Sequence, residues 1–169
     1  FNVQQTNLQE TKPEKWEALK EQFKIPAIKD EQGMLTVPLI DAMVREQQWI
    51  CPIYSKEGNS AYHARGEENH IVVPLKGQFK DGENFYSTLL HEMAHSTGEP
   101  EHLNREKGVI FGDKQYAKEE LVAELTSATV GQSLGISTHI REENAMYLKN
   151  WLGALKEDPK FIYNILADV

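Results

Sequence analysis

Ser87-Thr88-Leu89-Leu90-His91-Glu92-Met93-Ala94-His95-Ser96-Thr97-Gly98 is the stretch from which the rest of this chain is read. It holds H-E-x-x-H, two histidines four residues apart with a glutamate directly after the first. On a helix, positions i and i+4 lie on one face about one turn apart, so both imidazoles can point at one ion. Zinc suits such a pair: it takes neutral imidazole nitrogens in a tetrahedral set and, at catalytic sites, leaves one position open for water. Glu92 sits about 100° round the helix from His91, within reach of that water without having to bind the metal. Glu92 is therefore the candidate general base, acting on a water that the metal polarises.

The flanking residues support a buried helix. Thr88, His91, Glu92 and His95 fill one wedge of it, while Phe85, Tyr86, Leu89, Leu90, Met93 and Ala94 occupy most of the remaining circumference. Two histidines and a glutamate inside an apolar helix carry a desolvation cost unless something pairs with them, and a metal does that. Gly98 is the natural stop.

A catalytic zinc usually has three protein ligands, so one more is needed. A long helix, about Gln115 to Leu134 and ending at Gly135, offers it. Ala117, Leu121, Leu125 and Ala128 form an apolar stripe there, with Glu124 inside the stripe, Glu120 at its edge and Glu119 pointing away. No lysine or arginine shares that face. The reading assigns Glu120 to the metal and Glu124 to a hydrogen bond that orients a ligating histidine. Glu101 is the rival ligand, with His102 one residue late for the H-E-x-x-H-x-x-G-x-x-H spacing. Tyr116, one turn before Glu120, is a candidate oxyanion stabiliser; His70, Arg105 and His139 are others.

Length and composition fit one globular domain. At 169 residues, 40% hydrophobic and 26% charged, the chain is long enough for a real core. A net charge of −8 argues against a broad basic surface for nucleic acid. No membrane span or signal peptide is apparent, and the single cysteine, Cys51, excludes an internal disulfide, so a reducing, cytoplasmic setting is expected. Cys51, between Ile50 and Pro52, reads as a small buried apolar residue.

The rest of the chain reads in order. Residues 1–12 look like a linker from an upstream domain, and 13–169 like a single domain. Pro13 opens a helix with Trp16, Leu19 and Phe23 at helical spacing, and Pro26 ends it. Gly33 marks a turn and Pro38 begins a second helix. Ile50 to Tyr54, Ala61 to Ala64 and Ile71-Val72-Val73 read as three short strands, with Pro74 at an edge or strand end. They predict a small antiparallel sheet, whose open edge could take an extended peptide by strand addition. Two more helices are expected near Glu142 to Lys156 and Pro159 to Ala167, the latter capped by Asp158.

The motif stretch from Phe85 to Gly98, then Leu103-Asn104-Arg105, resembles the zincin-like metallopeptidase domain of ArdC-type antirestriction proteins. So do Tyr116 to Leu125, Asn69 to Pro74 and Asn144 to Lys156, while Phe1 to Thr6 resembles the segment that joins the family's N-terminal domain to this one. The resemblance implies an α+β, zincin-like fold, with a small antiparallel sheet packed on a central H-E-x-x-H helix and several further helices. It also implies a Zn2+ site on His91, His95 and a glutamate of the Glu120 helix, with Glu92 catalytic. A plasmid or conjugative-element origin follows from it, as does an upstream single-stranded-DNA-binding domain outside this chain. The chain departs from the family pattern at Glu99, where histidine is frequent, and at His102, where arginine is common. The expected function is zinc-dependent hydrolysis of a protein or peptide substrate. The alternative is a catalytically silent, metal-stabilised binding module that protects incoming DNA.

Overall fold

The computed structural model describes residues 6–22, 27–105, 114–136, 151–152, 156 and 160–169. Helices α1 (Leu8–Thr11) and α2 (Pro13–Gln22) come first and bury none of their residues. A two-residue hairpin follows, β1 (Ile28–Lys29) against β2 (Leu35–Thr36). Its turn is built by Asp30, whose carboxylate accepts the Gln32 and Met34 amides at 3.0 Å each, and by Gly33 at φ 80°. Helix α3 (Pro38–Arg45) starts on its proline and buries Ile40.

Three strands then form one sheet in the order β3-β5-β4: β3 (Ile53–Lys56), β4 (Tyr62–Ala64) and β5 (His70–Pro74). The sheet is mixed, and the antiparallel expectation holds only for β4–β5, where His63 pairs with Ile71. β3 and β5 run parallel, Ile53 beside Ile71. β5 is therefore central, and Pro74 ends it without lying on an edge. Its unbroken Ile71-Val72-Val73 run, with all three residues buried, is what a strand covered on both faces requires.

Helix α4 (Gly82–Ser96) carries the motif and packs across this sheet. Asp81 caps it, accepting the Asn84 amide at 2.8 Å. Leu89, Leu90 and Met93 join Ile40, Cys51, Ile53, Ile71 and Val73 in the main core. Tyr86 is fully buried; its hydroxyl donates to Asp41 Oδ1 at 2.7 Å and accepts the Val37 amide at 3.0 Å, tying α3 to α4. Burial, reinforced by the bond to Asp41, pushes this phenol well above its usual range.

Helix α5 (Lys114–Ser133) makes the most extensive contact with α4. Ala117, Leu121 and Val122 face away from α4, toward Trp151 and Ile165 of a second small core; Trp151 donates its indole N–H to the Ala117 carbonyl at 2.8 Å. Helix α6 (Phe161–Ala167) carries Ile165 and starts after Lys160. Asp158, His139 and nearly all of the expected Glu142 to Lys156 helix lie outside the described residues. Cys51 is buried in the main core, and no described helix is long and apolar enough to cross a membrane.

The entry to α4 is tight. A Cβ added at Gly82 would stand 2.6 Å from the Leu35 carbonyl oxygen and 2.7 Å from its nitrogen. Both are backbone atoms of β2, so no side chain can give way. Gly82→Ala is expected to destabilise the fold by about 1–3 kcal/mol, read from urea denaturation.

Candidate metal centre

His91 and His95 lie one turn apart on α4, and α5 crosses them with its acidic side. Around α5, Glu119, Ala123, Tyr116, Ser127, Glu120 and Glu124 share one face, since about 100° separates successive residues. Ser127 locks this crossing by donating to the Ser87 carbonyl at 2.9 Å. The apolar stripe expected to carry Glu120 and Glu124 faces the second core instead, so α5 is buried on two sides.

Three side chains converge. His91, His95 and Glu120 each offer an atom, and these atoms all lie within 4.8 Å of one another. His91 Nε2 and His95 Nε2 are 3.0 Å apart, and the two Glu120 oxygens stand 3.6 and 3.5 Å from them. Ligand atoms about 2.0–2.2 Å from a tetrahedral zinc are about 3.3–3.6 Å from one another. Around a six-coordinate ion at about 2.0–2.1 Å, adjacent ligands are about 2.9 Å apart. The observed spacings span both geometries.

The outer nitrogens decide the chemistry of this set. His91 Nδ1 is 2.8 Å from Glu124 Oε1, and His95 Nδ1 is 3.1 Å from Glu119 Oε1. A carboxylate at each Nδ1 assigns the ring proton to that side, so each neutral imidazole presents a lone pair at Nε2. Two lone pairs facing each other at 3.0 Å, beside an anionic carboxylate, repel unless a cation lies among them. The residues therefore fit a divalent metal ion. Burial would raise the Glu120 carboxyl, but in the state where a second proton takes the place of the ion on the rings, hydrogen bonding to His91 and the charge on His95 and His91, with the Tyr116 hydroxyl, bring it below the ordinary carboxylate value.

Glu119, expected to point away, is the largest correction. It is 3% exposed and held by Arg105, whose Nε and Nη2 donate to its two oxygens at 3.0 and 2.9 Å. The same guanidinium donates to the Ala94 carbonyl at 2.7 Å and to Thr97 Oγ1 at 2.8 Å. A cation thus caps the open carbonyls at the C-terminus of α4 and neutralises the carboxylate that orients His95. The chain brings it there by turning back after Gly98, with Arg105 N donating to the Gly98 carbonyl at 3.2 Å and Asn104 at φ 45°. The positive partner comes from a loop, which periodicity within the helix could not reveal.

Glu92 is 7% exposed and lines a cleft of about 680 Å³ together with Thr88. Tyr116 hydrogen-bonds to Glu120. Glu101 and His102 are exposed and stand apart from the convergent set. His70 Nδ1 donates to the Glu68 carbonyl at 2.7 Å, and the ring packs edge-on against Tyr54 and Tyr62. Glu99 is buried, 4.0 Å from His63 Nδ1 on β4.

Burial acts to raise the Glu119 carboxyl, but the hydrogen bonds from His95 and Arg105 and the Arg105 charge overcome it and lower it to about 2. A folded value below the unfolded value of about 4.5 stabilises the protein fully above pH 4.5, and that stabilisation is lost as pH falls toward 2. Metal-free Glu119→Gln should therefore show a shallower loss of stability across this window than wild type in acid titrations followed by circular dichroism. Glu119→Ala and Glu124→Ala should each weaken metal binding about 10–100-fold in competition with a chelating dye.

Comparison with known proteins places this geometry. The zincin-like metallopeptidase family profile matches residues 40–168. A DNA primase TraC of Escherichia coli is 44% identical over 104 residues, 62% of this chain but 10% of that protein. The crystal structure of the antirestriction protein ArdC from plasmid R388, in its Mn(II)-bound form, aligns with a TM-score of 0.67 at 28% identity, covering 86% of this chain and 50% of ArdC. Its metal-free form aligns at 0.65, with 29% identity, covering 82% of this chain and 51% of ArdC. The chain thus spans about a tenth of the one relative and half of the other. Its two histidines, the crossing glutamate helix and the small sheet lie within a match covering most of its length, and the chain belongs to the zincin-like metallopeptidase family.

Proposed function

We propose that this chain is a metal-dependent peptidase domain of an ArdC-type antirestriction protein, acting on a protein or peptide substrate. The observation that carries the proposal is the pair of Nε2 lone pairs facing Glu120, each ring held from behind by a carboxylate, with Glu92 turned to the adjoining cleft. His91, His95 and Glu120 would hold the ion. Zinc is the family's expectation, and the Mn(II) recorded in ArdC makes manganese the first competitor. Once bound, a divalent ion polarises a carbonyl and lowers the pKa of water.

The remaining steps belong to the chain's own side chains. Glu92 takes the proton of the attacking water and passes it to the departing amine. Glu119 and Glu124 keep the imidazole protons on Nδ1 throughout, so that neither histidine competes as an acid. Tyr116, bonded to Glu120 beside the ligand atoms, is the proposed donor to the developing oxyanion. Strand β4 borders the sheet on one side, and Asn59, Ser60 and Ala61, just before it, wall the cleft that Glu92 lines. An extended substrate would lie along this edge. Residues 13–169 would form the catalytic unit, with residues 1–12 leading to a DNA-binding domain.

A second reading is favoured by the names of the relatives, a DNA primase and an antirestriction protein: a metal-stabilised module that protects DNA without cleaving peptides. Glu92→Gln separates the two. The proposal expects metal content to persist while cleavage of a casein or peptide-library substrate falls about 10²–10⁴-fold. Tyr116→Phe should lower kcat with little change in KM. Undiminished cleavage by Glu92→Gln would remove the assigned base, and protection of DNA undiminished in that variant would favour the binding module.

A further inference from the structure

The cleft beside Glu92 is uneven in charge. Among the described residues that wall it, Lys80 supplies the one positive charge and Glu92 the one negative charge. Asn84, Thr88 and Glu92 are spaced four apart and form one row about 12 Å long on α4. Lys80 precedes the Asp81 cap and lines the same cleft, beyond the Asn84 end of this row. An extended peptide advances about 3.3 Å per residue, so a substrate reaching from Glu92 along this row and past Asn84 toward Lys80 covers about four or five residues.

Two further observations bear on Lys80. Its neighbour Lys76 is committed, to Asp30 at 3.1 Å and Thr36 at 3.2 Å, whereas Lys80 is exposed and forms no ion pair with a described residue. The Asp81 carboxylate beside it is committed to capping α4, its Oδ1 accepting from the backbone and side chain of Asn84 at 2.8 Å each. The opposite wall is preformed: the Gln78 amide grips both peptide groups of Gly58, at 3.3 and 3.2 Å, fixing the β3–β4 turn. A rigid slot with a lone cation at one end, in a chain of net charge −8, suits an acidic side chain and offers too little positive charge to follow a nucleic-acid backbone.

We propose that Lys80 selects extended peptides carrying aspartate or glutamate about four or five residues from the bond that faces Glu92. The inference rests on reading the cleft as the peptide site. The test is cleavage of a proteome-derived peptide library by the zinc-loaded chain, with Lys80→Ala and Lys80→Glu alongside, the products read by mass spectrometry. Wild type should enrich acidic residues at one such position by about fivefold, the scale of a single solvent-accessible ion pair. Lys80→Ala should lose the enrichment and Lys80→Glu should replace it with lysine and arginine. An identical profile in all three forms overturns the proposal.

If no form cleaves, the peptidase reading falls, and binding decides this inference separately. Labelled decapeptides with aspartate or asparagine at each position in turn are titrated against Glu92→Gln, with and without Lys80→Glu, by fluorescence anisotropy. Aspartate preferred about threefold or more, only when Lys80 is present, sustains it. No preference, no binding, or tighter Lys80-dependent binding of an oligothymidylate than of any peptide overturns it.

Discussion

Two imidazoles and three carboxylates meet where α4 and α5 cross, and the packing of those helices depends on them. An apolar crossing would close on its own. Here the seam carries His91, His95, Glu119, Glu120 and Glu124, none more than 13% exposed at the side chain. Each buried charge is answered: Arg105 neutralises Glu119, the histidine Nδ1 positions face Glu119 and Glu124, and the Nε2 lone pairs with Glu120 leave a place for a cation. Removing Arg105 or Glu119 alone leaves the other's buried charge unpaired, which costs far more than an exposed ion pair contributes.

The rest of the architecture serves this seam. Tyr86 and Gly82 set α4 against α3 and β2, fixing the helix from its N-terminal end. Arg105 fixes the other end through Ala94 and Thr97. The sheet covers one flank of α4 and the cleft opens along the row that runs from Asn84 to Glu92. A helix held at both ends keeps two imidazoles in register with a carboxylate from another helix, which is the preorganisation that metal sites and electrostatic catalysis require.

Much of the site was legible because its elements are local. The i, i+4 spacing of His91 and His95 needs only helical geometry, and the polar wedge in an apolar helix marks the buried face. Glu120 and Glu124 stand out in the sequence because buried carboxylates demand partners, and both reach the histidines of α4. Glu119 was missed for an instructive reason: α5 is buried on two sides, and measuring angles from its apolar stripe located the second core rather than α4. Its partner Arg105 arrives through a reversal of the chain after Gly98, which no periodicity records. The sheet's order was hidden for the same reason. Adjacent strands with a turn between them read as an antiparallel hairpin, yet β5 inserts between β3 and β4, a nonlocal choice driven by its fully apolar run. The expectation of a helix from Glu142 to Lys156 falls almost wholly outside the described residues.

The claim on which the account stands is that His91, His95 and Glu120 together hold one divalent metal ion. The most direct measurement is metal content by inductively coupled plasma mass spectrometry on the purified chain, with zinc and manganese offered in turn, beside His91→Ala and Glu120→Ala. Wild type is expected to carry about one equivalent, lost or much reduced in both variants while each retains its fold by circular dichroism. Full occupancy in Glu120→Ala, or no metal in wild type at any concentration offered, would contradict it.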